Sequence, residues 1–261
     1  MIESIRHNLL AHSRSPSRSL RGLGRFAPPR RGPCQNGLGI RAETTADALP
    51  RIMKAFIDFD GVLFDIARHK REYFRFFEQY GVSRGEARKT YGEMKRAIGR
   101  DDQRYYVSRL KEKHPRLDIE KTLRAIRAFK GQSRSCVYKE ARMFLEALKK
   151  FGFELHLVTS GDKVLQERKI EMSGLLKYFQ GIHLLENDDK AGIVRRFATQ
   201  GEIAVFLDDK EAIADQVKKS MPHVSVLHVV RHKGDARSKK ADYAALNLRE
   251  ALRYIKRLCA E

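Results

Sequence analysis

From Ile52 onward, short apolar runs alternate with stretches in which apolar side chains recur every three or four residues. Five runs predict strands: KAFIDF (54 to 59), FELHLVT (153 to 159), GIHLLE (181 to 186), IAVFLD (203 to 208) and VSVLHVV (224 to 230). Their imperfect alternation suits strands covered on both faces. Amphipathic helices are predicted between them. Glu140 to Lys150 places Met143, Phe144, Ala147 and Leu148 on one side, and Ile193, Val194 and Phe197 mark the next helix. Leu246 to Leu258 repeats the pattern with Leu248, Leu252 and Ile255. Strands separated by helices imply an α/β class with a Rossmann-like parallel sheet and right-handed crossovers.

One interval breaks the alternation. Residues 66 to 135 show helical periodicity only, as in Ile119, Leu123, Ile126 and Phe129, opened by Pro115 with Asp118 as N-cap. The expected organisation is a core from 53–65 and 136–261, with a helical insert at 66–135. Residues 1–52 are rich in Ser, Arg, Gly and Pro and lack sustained periodicity, which predicts a disordered basic leader. Such a segment also reads as an organellar transit peptide, or as a non-native extension ahead of a start at Met53.

Charge sharpens this division. The 261-residue chain carries a formal +20, of which +6 lies in residues 1–52 and +11 in residues 66–135. A basic excess invites nucleic acid, an anionic substrate or a basic tail as explanations. For the helical interval, solvated outer faces are the default expectation. Tyr105, Tyr106, Arg104 and Arg109 stand close enough in sequence to bind a base or phosphate, although Tyr106 and Leu110 at i, i+4 read as core. The three cysteines, Cys34, Cys136 and Cys259, offer neither a disulfide framework nor a CxxC metal site, which fits a reducing compartment. No apolar run approaches the roughly 18 residues of a membrane helix. The expected location is cytoplasmic, or organellar if the leader is a transit peptide.

The sharpest chemical feature is KAFIDFDGVLFD, in which Asp58 and Asp60 follow an apolar strand and precede Gly61 and Asp65. Asp is a poor strand former, so paired carboxylates at a strand's carboxyl end ask for a reason, and in parallel sheets that edge is where ligands bind. Asp65 reads as the cap of the following helix. Two further strands end in related chemistry: FELHLVT in Thr159, Ser160 and Gly161, and IAVFLD in Asp208 and Asp209. Carboxylates and hydroxyls gathered at three strand ends make up a hard-cation and phosphate site.

These residues resemble the haloacid dehalogenase-like (HAD) hydrolase superfamily, in order, across residues 53 to about 258. Its first motif, DxDG after an apolar strand, corresponds to Asp58, Phe59, Asp60 and Gly61; its second to LVTSG with Thr159; its fourth to the acidic pair in VFLDD. The third is a lysine, best matched by Lys190 in NDDKAGIVRRF, with Lys163, Lys169 and Lys210 as rivals. The resemblance implies a HAD-like fold whose insert is a type 1 cap. It implies Asp58 as nucleophile, Asp60 as general acid and base, and Thr159, Ser160 and Lys190 as phosphate contacts. It also implies Mg2+ held by Asp58, Asp60, Asp208 and Asp209. Family members usually space the acids of the fourth motif, whereas here they are adjacent with Asp215 further on, so the metal ligands among Asp208, Asp209 and Asp215 stay open.

The acid at Asp60 favours phosphoryl chemistry, since dehalogenase-like members lack it. The function implied is a Mg-dependent phosphatase that hydrolyses a phosphomonoester through an aspartyl-phosphate, with a small phosphorylated metabolite as the expected substrate. The alternatives are a nucleic-acid end phosphatase, a phosphomutase, or a non-catalytic nucleic-acid-binding module.

Overall fold

The computed structural model of the chain describes residues 52–260 apart from Arg100, Gly131, Gln132 and Lys233. The expectations for the leader fall outside the described residues, Ile52 excepted. Six strands, β1 (Met53–Ile57), β2 (Phe153–Ser160), β3 (Gly181–Leu185), β4 (Ile203–Asp208), β5 (Ser225–Val229) and β6 (Tyr243–Ala245), pair in parallel in the order β3-β2-β1-β4-β5-β6. This is the order of a doubly wound Rossmann-like sheet. All five predicted strands are present. The sixth, Tyr-Ala-Ala, is too short and too poor in β-branched residues to announce itself in the sequence.

Both faces of the sheet are covered, which explains the nearly unbroken apolar runs. Ala55, Ile57, Leu155, Leu157, Val205 and Leu207 enter one core with α5 (Ala141–Lys150) and α9 (Leu248–Leu258). Phe56, Val158, Phe206 and Val226 enter the other, against α7 (Lys190–Phe197) and α8 (Glu211–Ser220). The helix α6 (Lys163–Ser173) follows β2 and adds Ile170 to the first core.

Between β1 and β2 run α1 (Ile66–Phe76), α2 (Arg84–Ile98), α3 (Gln103–Lys113) and α4 (Ile119–Lys130). Each begins at a residue whose side chain takes up a free backbone N–H: Asp65, Ser83, Asp102 and Asp118. Their inner faces form a separate hydrophobic cluster around Tyr73, Phe77, Met94, Tyr106, Leu110 and Ile126. Tyr106 is fully buried and donates to Ala87 O at 2.9 Å, while Arg104 pairs with Glu120 and Arg109 with Glu112. Tyr106 is thus core, the two arginines hold exposed glutamates, and Tyr105 is an exposed ring on the outer face of α3.

A histidine pair, His156 buried and His183 half-buried, links β2 to β3. His156 Nδ1 lies 3.1 Å from His183 Nε2, and His156 Nε2 lies 3.1 Å from Glu154 Oε1. A Cβ added at Gly181 would sit 2.4 Å from His156 Nδ1, so only glycine admits the imidazole there. Burial pushes both histidines below the ordinary value, His183 to about 4. Between about pH 6.5 and pH 4 the unfolded chain takes up protons that folded His183 refuses, so the His183 contribution to stability falls as pH falls through that window. Because the raised carboxyls of Asp58 and Asp209 act in the opposite sense over the same range, the His183 contribution, on the order of 2 kcal/mol between pH 7 and pH 4.5, is read as the difference between wild type and His183→Gln in denaturant titrations. His183→Gln should remove much of this pH dependence; an unchanged dependence would refute the assignment.

Candidate active site

The strand order sets the site. β1 lies between β2 and β4, and the register pairs Ile57 with both Leu157 and Leu207. Asp58 thus stands level with Asp208 and beside the end of β2. Its backbone N–H extends the ladder to Leu207 O at 2.9 Å. From β1 the chain builds one side of the sheet through β2 and β3 and then crosses to β4 on the other, so these carboxyl ends flank the topological switch point.

Asp58, Asp208 and Lys190 are all buried, with Lys190 only 1% exposed. Lys190 is the first residue of α7, whose N-cap Asp189 accepts from Gly192 N at 3.1 Å. Its ammonium lies 2.7 Å from Asp208 Oδ2 and 2.9 Å from Asp58 Oδ1. Asp208 Oδ1 accepts from Lys210 N at 2.9 Å. Asp209 completes the cluster: one carboxylate oxygen from each of Asp58, Asp208 and Asp209 lies within 4.8 Å of the others.

Three carboxylates around one ammonium leave surplus negative charge in a buried place. Burial, reinforced by Asp208, pushes the Asp58 carboxyl up to about 7. Asp209 is pushed up to about 6, by burial first and the Asp58 charge second. Burial also raises Asp208. For Lys190 burial opposes the charge, but the Asp58 and Asp208 carboxylates outweigh it and hold the ammonium above its ordinary value. Asp58 Oδ1 has no well-directed hydrogen bond despite its nearness to Lys190. Hard oxygen donors and surplus negative charge fit a divalent cation.

The loop after Asp58 is tight. Leu63 N and Phe64 N both donate to Phe59 O, and Gly61 N donates to Phe64 O at 2.8 Å. Gly61 has φ +79°, and an added Cβ would lie 1.9 Å from Asp209 Oδ2, so the loop backbone closes directly on the acid cluster. Arg231 straps this loop: its guanidinium donates to Gly61 O at 3.1 Å, to Val62 O, and to Glu140 Oε1 at 2.6 Å.

Asp60 faces a cavity outside the buried cluster. Lys169 Nζ donates to its two oxygens at 2.8 and 2.5 Å, and Gln166 Nε2 donates to Oδ2 at 3.0 Å. Gln166 also reaches Ser160 O at 3.0 Å and Thr159 Oγ1 at 3.4 Å, linking the ends of β1 and β2. Thr159 is buried at the end of β2.

The other predicted residues have separate engagements. The Ser160 hydroxyl donates to Asp188, which also pairs with Lys210 at 3.2 Å. Asp65 caps α1 as expected. Asp215 accepts from Ser238 Oγ and from Lys240 N, outside the acid cluster. Of the four lysines weighed, Lys190 alone joins the acids of β1 and β4, whereas Lys169 holds Asp60. Gln166 and Arg231 were not anticipated. Gln166 and Lys169, three apart on α6, share a helix face, but their partners belong to another strand; Arg231 carries no sequence signal at all.

A family model described as haloacid dehalogenase-like hydrolase matches residues 53–216. No curated protein matches the chain by sequence. Among solved structures, a protein described as a haloacid dehalogenase-like hydrolase from Burkholderia xenovorans is similar at TM-score 0.56 and 20% identity, covering 78% of this chain and 98% of its own. A protein described as a β-phosphoglucomutase from Thermotoga maritima gives 0.55 and 20%, covering 79% and 100%. The L-2-haloacid dehalogenase of Xanthobacter autotrophicus gives 0.52 and 15%, covering 78% and 98%. At these identities the neighbours speak for the fold. The family match runs from β1 into α8, through every strand end that carries the buried charges, and the chain belongs to the haloacid dehalogenase-like hydrolases.

Proposed function

We propose that the chain is a magnesium-dependent phosphatase that hydrolyses phosphomonoesters through an aspartyl-phosphate on Asp58. The observation that carries this reading is Lys190, buried between Asp58 and Asp208, with the second acid Asp60 two residues on and facing the cavity. Asp58, Asp208 and Asp209 would hold the cation. When bound, it offsets carboxylate charge and, as a Lewis acid, favours charge developing on phosphoryl oxygens.

The chain's own groups carry the steps. An Asp58 oxygen attacks phosphorus, the bond from phosphorus to the leaving oxygen breaks, and Asp60 delivers a proton to that oxygen. Asp60 then takes a proton from a water that attacks the phosphorus of the aspartyl-phosphate, and the bond to Asp58 breaks to release phosphate. Lys190 and the Thr159 hydroxyl supply fixed donors to phosphoryl oxygens. The helices of 66–130 act as a cap over the cavity, admitting the leaving group and excluding water.

Phosphate release from p-nitrophenyl phosphate should require magnesium and stop on chelation. Asp58→Asn should reduce it to background, and Asp60→Asn should lower kcat by about 10²–10⁴-fold with alkyl phosphates. Full activity in Asp58→Asn, or chloride release from 2-chloropropionate with no phosphate release, would refute the reading. Lys190→Met strands two buried carboxylates and should cost about 3–5 kcal/mol in chemical denaturation without metal. Magnesium should raise the melting temperature of the wild type, while Asp208→Asn should abolish that rise; an equal rise in both would remove Asp208 from the cation site.

A further inference from the structure

Asp60 forms one wall of a cavity of about 300 Å³, at the lower end of the range for small-molecule pockets. The opposite wall comes from α1 and α2, and the remainder from the segment joining β2 to α6 and from α6 itself. Its chemistry is uneven. Phe74 on α1 and Tyr91 on α2 are half-buried and line the cavity with their rings 5.8 Å apart, edge to face. Lys70 lies four residues before Phe74, and Lys95 four residues after Tyr91. That spacing puts a cation beside an aromatic ring on the same helix face, once on each helix.

Arg168 on α6 adds a third cation to the lining. Among the described residues, the side chains of Lys70, Lys95 and Arg168 make no ion pair or hydrogen bond. The acids of the cavity are engaged. Asp162 caps α6 through Leu165 N at 3.1 Å, Asp101 accepts from Tyr91 Oη at 3.3 Å, and Asp60 is held by Lys169. The lining sets four cations, Lys70, Lys95, Arg168 and Lys169, against the three acids Asp60, Asp101 and Asp162, a formal excess of one positive charge around partly uncovered aromatic surface.

We propose that this cavity binds the leaving group of a phosphomonoester built on a planar aromatic ring that bears a second anionic group. The ring packs against Phe74 and Tyr91, and the second anion is met by Lys70 and Lys95. The substrate class rests on the phosphatase reading above, because it assigns the scissile phosphate to the Asp58 side of Asp60. A neutral aliphatic alcohol would leave both features unused. A purely aliphatic anion would use the lysines and leave the rings uncovered.

Phosphonates test the cavity without turnover, because they keep the anionic head and lack the scissile P–O bond. Calorimetric titration of the full chain with magnesium should rank 4-carboxybenzylphosphonate above benzylphosphonate by about tenfold, the scale of one charge-assisted contact. Benzylphosphonate should in turn rank above ethylphosphonate. In the Lys70→Met/Lys95→Met variant the carboxylate preference should shrink to within about twofold, while Phe74→Leu should narrow the benzyl-over-ethyl preference. These ratios compare ligands on the same folded variant, so general loss of stability does not move them. Equal binding of all three compounds, no binding of any, or a carboxylate preference that survives loss of both lysines would overturn the proposal. Retained ranking with no phosphate release from 4-carboxybenzyl phosphate would overturn the phosphatase reading alone.

Discussion

The ammonium of Lys190 between the Asp58 and Asp208 carboxylates is the interaction on which the site depends. Two acids on neighbouring strands, both buried, repel each other across a medium that screens little. One lysine at the start of α7 offsets part of that charge and ties the helix to β1 and β4. Asp209 adds to the negative charge that one lysine leaves uncompensated, so the cluster favours a cation even with Lys190 present. Breaking such a pair costs more than forming it gains, because the remaining charge has no route to water. The arrangement is a commitment to chemistry rather than a device for stability.

Around this cluster the chain uses two kinds of support. Backbone pairing fixes Asp58 and Asp208 at equal height, because a parallel ladder lets neither strand slide without breaking its register. Side-chain straps fix the loops: Arg231 on the turn after Asp58, and Gln166 with Lys169 on Asp60. The straps come from segments more than a hundred residues away from the loop they hold. They therefore make the loop's geometry a property of the whole sheet.

The positive charge of residues 66–130 also separates into two populations. Arg68, Arg84, Arg104 and Arg109 pair with nearby glutamates on exposed helix faces, which contributes little to stability or binding. Lys70 and Lys95 instead line the cavity beside Asp60. Net charge over the interval hides this difference. Mostly it is a solvated surface, and the informative cations are the few that face inward.

The sequence by itself determined the α/β class, five of the six strands, the helical interval with its caps at Asp65 and Asp118, and the acids Asp58, Asp60, Asp208 and Asp209. These are legible because apolar periodicity and carboxylates at strand ends are local patterns, each written in a few consecutive residues. The three-residue β6 was not legible, since its pairing with β5 rather than its composition makes it a strand. Only the tertiary structure decided between the rival lysines, removed Asp215 from the acid cluster, gave the Ser160 hydroxyl to Asp188, and brought Gln166, Lys169 and Arg231 to the site. Each of those outcomes is a distance between residues far apart in the chain. Such distances are set by strand order and register, and no local pattern encodes them.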